Sequence, residues 1–189
     1  MGRTSIPTAN AAKAIGEGAL PSRVRGILLR LSLGAISLAF ATSAANAQST
    51  GADRVRISGL SDAAFGTITT FAADAVRSQS ICLYAKAPPA NNYRITASGS
   101  GSGGAFQLSS GTEALPYEVQ WSNSPGQISG VQLSPNVPLT GLPNSAGSDD
   151  CSKGPATTAT LIVVLRSNAL AGAIAGSYSG SLTLLVAPE

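Results

Sequence analysis

The chain has no histidine in its 189 residues. That removes the side chain most often used for acid–base catalysis near neutral pH, the base of a Ser-His-Asp triad and the usual imidazole ligand of zinc. Cysteine is nearly absent as well. Cys82 and Cys151 alone cannot complete a structural zinc site or hold an iron–sulfur cluster. Charged residues are only 11% of the chain, too few to supply the clustered acids of a carboxylate enzyme. No Ser-Lys motif is present either. These absences predict a protein that is not an enzyme and needs no cofactor or metal. Aromatic residues are also scarce, at 5%, whereas the chain has 21 glycines and is rich in Ser, Thr and Ala. That balance suits a β-sheet protein with many turns.

The basic residues are unevenly placed. Arg3, Lys13, Arg23, Arg25 and Arg30 precede an apolar run over 31–41, and Ala45-Asn46-Ala47 supplies a small-x-small cleavage pattern. Basic start, short apolar stretch and A-x-A site together read as a secretory signal peptide over 1–47, cut before Gln48. The run is 11 residues long, and a helix crossing a bilayer needs about 20. Residues 48–189 then carry seven basic and eight acidic side chains, a net charge of −1. No cationic surface remains for nucleic acid, which is not expected as a partner. Export changes the meaning of the two cysteines, since in an oxidising compartment a lone pair forms a structural disulfide. A reactive thiol would need an adjacent His, a CxxC motif or clustered cations to lower its pKa, and none of these is present. The expectation is a Cys82–Cys151 bridge.

After residue 48 the hydrophobic period is two. Val55 and Ile57 alternate with polar residues, with Leu60 following; Phe65, Ile68 and Phe71 lie in a β-branched setting. Tyr93, Ile95 and Ala97 share one face of a short strand, as do Tyr117, Val119 and Trp121 of another. Strands are also predicted at 81–84, 105–108 and 128–133. A polar loop rich in Pro and Gly follows over 135–150. Residues 160–165 form an unbroken apolar run, expected to be covered on both faces. A short helical turn is predicted within 168–176, then a terminal strand presenting Leu182, Leu184 and Val186. Seven or eight short strands with no long helix make an all-β antiparallel sandwich the expected fold.

Four patterns imitate functional sites. Residues 99–104 fit GxGxxG, but a strand pattern follows where a dinucleotide site needs a helix, so a flexible hairpin connection is expected. Asp149-Asp150 lacks the further acids of a calcium loop. Glu113 and Glu118 have nothing to place them across a cleft as a glycosidase pair. Tyr93, Tyr117 and Trp121 could stack on a sugar, yet their alternation in strands predicts core packing.

In order along the chain stand Cys82-Leu83-Tyr84, the segment 93–99, the Gly/Ser turn, the segments 104–108 and 115–121, and finally 176–186. Together they resemble the spore coat protein U domain family, which includes subunits of archaic chaperone–usher pili, over roughly residues 55–189. The resemblance implies an immunoglobulin-like sandwich missing one strand, over 61–189. It implies a periplasmic chaperone, an outer-membrane usher and neighbouring copies as partners, joined by strand exchange. It also implies transit through the periplasm to the cell surface or an extracellular fibre. The segment 48–60 would be either a donor strand inserting Val55, Ile57 and Leu60 into a neighbour, or the first strand of its own sandwich. The alternative is a monomeric exported adhesin or carbohydrate-binding module.

Overall fold

The computed structural model describes residues 4–6 and 53–189. The apolar run at 31–41 and the cleavage pattern at 45–47 lie outside the described residues. In chain order the strands are β1 (Thr4–Ile6), β2 (Arg54–Ser58), β3 (Gly66–Ile68), β4 (Ala75–Lys86), β5 (Asn92–Gly99), β6 (Gln107–Ser110) and β7 (Glu113–Pro116). Then come β8 (Glu118–Ser122), β9 (Val131–Gln132), β10 (Leu139–Pro143), β11 (Ala159–Leu165) and β12 (Leu182–Pro188). Among the described residues, a 3₁₀ turn (Ser102–Gly104) and one short helix, α1 (Ser167–Gly172), complete the elements.

These strands form an all-β, sandwich-like fold of antiparallel sheets. One sheet has the order β2-β4-β11-β8-β9 and the other β10-β5-β12; β6 pairs with β7, and β1 with β3. The alternating residues explain why the two larger sheets face each other. Ile81, Leu83 and Ala85 of β4, Leu161 and Val163 of β11, and Val119 and Trp121 of β8 share one core with Tyr93, Ile95 and Ala97 of β5 and Leu184 of β12. Burying each large apolar side chain contributes about 1.5–3 kcal/mol. As expected, every residue of β11 is buried. Its outward Thr160 accepts from Gln127 N at 3.3 Å and donates to Ser124 O at 2.7 Å, so the 123–127 loop folds over that face.

The structure corrects several boundaries. The loop expected over 135–150 contains β10, which pairs with β5 through a register shift between Leu139 and Leu142. Gly141 sits there with φ +69°, and such a bulge on an edge strand tolerates the Gly and Pro that disguised it. β4 begins at Ala75, well before the predicted 81. Its first half carries Arg77 and Gln79 at the parity of Ile81, so no apolar alternation marks it. The strand expected over 128–133 shrinks to two residues because the chain then crosses sheets, bridging Pro135 to Ala97. The segment 115–121 divides at Tyr117, whose N–H donates to Phe106 O at 3.0 Å. Residues 99–104 are not a flexible connection but a packed turn. A Cβ on Gly99 would lie 2.2 Å from Ala105 O, and Asn136 Nδ2 donates to Gly103 O at 2.7 Å.

Candidate functional site

Among the described residues the two sheets have unequal numbers of strands, and one side of the sandwich is incompletely covered. β12 ends the three-stranded sheet, so among the described residues its seven-residue backbone is paired on the β5 side only. Opposite it, β4 is paired with β11 over Ala75–Ile81 and with β2 only over Cys82–Lys86. Among the described residues, the first half of β4 therefore has a second backbone edge without a strand. Side chains hold the neighbouring segment instead. Gln79 Oε1 accepts from Ser61 N at 2.9 Å, and Gln79 Nε2 donates to Ser61 O at 2.8 Å. Arg77 Nε donates to Ala64 O at 2.7 Å, and its guanidinium lies 5.6 Å from the centre of the Phe65 ring.

Between these two edges lies a small apolar cleft, partly open to solvent, with a free volume of about 30 Å³. Phe65, Leu108, Tyr117, Leu161, Val163 and Leu182 line it, with Ser61, Ala63 and Gln79 at the margin. Leu182 links the cleft to the start of β12. The site thus combines backbone donors and acceptors on two strand edges with an apolar floor. That combination suits an extended peptide backbone carrying apolar side chains.

Val55 and Ile57, expected either to leave for a neighbour or to close their own domain, occupy β2 in this copy. Both are half-buried and pack, with Leu60, against the common core. β2 is antiparallel to β4, Val55 opposite Ala85 and Ile57 opposite Leu83. Leu182 and Leu184 are buried as the terminal-strand pattern anticipated, and Val186 is half-buried against the same core. Cys82 and Cys151 form the disulfide, with Cα atoms 6.0 Å apart. It lies in a small separate cluster with Ala146 and Tyr84, away from the cleft residues. Sequence reasoning missed Arg77 and Gln79. Their only signal was polar side chains at inward parity in a strand, which reads as an interruption.

The residues that imitated other sites have structural work. Trp121, Tyr93 and Tyr117 are 1%, 2% and 8% exposed, so none offers a ring face to a sugar. Trp121 Nε1 and the Tyr93 hydroxyl both donate to Asn123 Oδ1, at 2.9 and 2.7 Å. Burial pushes the Tyr93 and Tyr117 hydroxyls up to about 12. Glu118 is held by Arg166, whose hydrogen bond to it keeps this carboxyl below its ordinary range. Glu113 lies in β7 opposite Ser110. Asp150 accepts from Ser152 N at 3.0 Å and Ser148 Oγ at 2.7 Å, which lowers its pKa, and Asp149 lies 3.8 Å from Arg56. A scan against protein-family models found no match, and searches of the curated proteins and of the solved structures found none.

Proposed function

We propose that this protein is an exported structural subunit of a bacterial surface fibre or coat, assembled by β-strand complementation on the open side of its sandwich. One observation carries the reading: two backbone edges unpaired among the described residues, β12 and the first half of β4, flank an apolar cleft. An added strand would complete main-chain hydrogen bonds on an edge and place alternate apolar side chains against the floor. Until it arrives, the open side is a target for unwanted pairing, which accounts for a periplasmic chaperone as escort and an outer-membrane usher as the place of assembly. The ordered motifs that resemble the spore coat protein U domain, and the signal-like residues 1–47, point the same way. The glycan-binding alternative loses its main support with the burial of Trp121 and both strand tyrosines.

The test is electrophoresis of native surface material without heating. Polymers joined by strand complementation are expected to run as a ladder that collapses to one band on boiling. A single monomer band before boiling would exclude this reading.

A further inference from the structure

An added strand brings side chains with it, and the open side has little room for them as it stands. The free volume of the cleft, about 30 Å³, holds a few waters and no valine or leucine side chain. The chain's own segment 61–65 takes up the space. Ser61 and Ala63 stand at the margin, and Phe65, 7% exposed, lines the floor with Leu108, Tyr117 and Leu182.

This segment is not held as a strand is held. Among the described residues no main-chain hydrogen bond joins 61–65 to β4. The Gln79 side-chain amide stands in for a partner strand, bonding both the N–H and the C=O of Ser61. Arg77 bonds Ala64 O and lies over the Phe65 ring. The bonds to Ser61 and Ala64 are exposed, so water competes for each of them. The segment is also bracketed by two glycines in the left-handed region, Gly59 at φ +84° and Gly66 at φ +67°. A Cβ on Gly66 would meet nothing within 4 Å, and one on Gly59 would make only ordinary contacts. Both positions therefore need glycine for the direction of the backbone and not for space.

We propose that residues 61–65 are a displaceable strap, which fills the acceptor cleft of a free copy and swings out on Gly59 and Gly66 when a strand enters. This rests on the reading that an added strand completes the open side. The replacement conserves the kinds of contact made. Incoming apolar side chains take the place of Phe65 on the floor, and Arg77 and Gln79 exchange one backbone for another. The strap shields the floor of a copy that has no partner. It also selects among strands, since a segment too polar to replace Phe65 does not keep the strap out.

The experiment is brief chymotrypsin digestion of the full chain, with cut sites identified by mass. Phe71 is exposed at 38% and serves as the control site beside the strap. The unassembled chain is expected to be cut after Phe71 and spared after Phe65. Fibres sheared from cells are expected to be cut after both. Fibres cut after Phe71 with Phe65 still spared would overturn the strap while leaving strand addition intact. In a second arm, Arg77→Ala/Gln79→Ala is expected to raise cleavage after Phe65 in the unassembled chain by on the order of tenfold, measured against Phe71. Cleavage after the buried Tyr93 reports general unfolding, so a rise at Phe65 matched by one at Tyr93, or no rise, would also overturn the strap. A wild-type chain that gives no unheated ladder would instead remove the reading beneath it.

Discussion

Tyr93 and Tyr117 are the residues whose burial most constrains the core's chemistry. Each places a phenol among apolar side chains, where the charged phenolate is disfavoured. Tyr93 donates to Asn123, and Tyr117 reaches Ser181 O at 3.4 Å. Both protons are held to about pH 12 against an ordinary 10. Folding favours the protonated form, so this stability is whole below pH 10 and disappears as pH rises to about 12. An alkaline titration followed by tyrosinate absorbance is expected to show two late protons. Tyr93→Phe should remove one of them, and a titration unchanged by that substitution would contradict the buried network. The core role of these rings was legible from alternation alone. Asn123 was not, because its role depends on two donors arriving from different sheets.

Three strand ends of the larger sheet are tied together by one arginine. Arg166 follows β11, Asp74 precedes β4 and Glu118 opens β8. The guanidinium bonds Asp74 Oδ2 at 2.7 Å and also Glu118, while Ser167 N donates to Asp74 Oδ1 at 2.8 Å. The Ser167 amide and Arg166 lower the Asp74 pKa, and Arg166 lowers that of Glu118. Lowered carboxylates contribute stability above their ordinary values near 4 and lose it as pH falls through the lowered ones. The urea midpoint is therefore expected to fall as pH drops from about 5 to 3, and to fall less in Arg166→Gln. Added salt should shrink the difference, because Arg166 is partly open to solvent. Equal slopes in both proteins would refute the clamp. Of the elements themselves, β5 and β12 were legible from their apolar alternation and β11 from its unbroken apolar run. β10 and the first half of β4 were not. The former is a bulged edge strand, and the latter spends its inward positions on polar groups that hold a loop.

For the whole molecule, the disulfide is the longest covalent constraint. It joins residues 69 apart and ties the 144–153 loop to the outer face of β4. Cross-linking a loop of that length stabilises by roughly 4 kcal/mol through the entropy removed from the unfolded chain. Replacing both cysteines by alanine is expected to lower the unfolding free energy by about that much. Because the bridge stands apart from the cleft, protein that remains folded should still give the unheated ladder. Denaturant unfolding with and without the bridge measures the first effect, and a midpoint unmoved by the replacement would contradict it.

Amino-acid order by itself determined the all-β character, the buried aromatic faces and the pairing of the only two cysteines, since each follows from local period or from a choice of one. Tertiary structure alone decided that Val55 and Ile57 close their own sheet in this copy, that Arg77 and Gln79 pin a loop, and that two strand edges lack a partner strand among the described residues. Whether a strand is an edge is a property of its neighbours, and those neighbours come from distant parts of the chain.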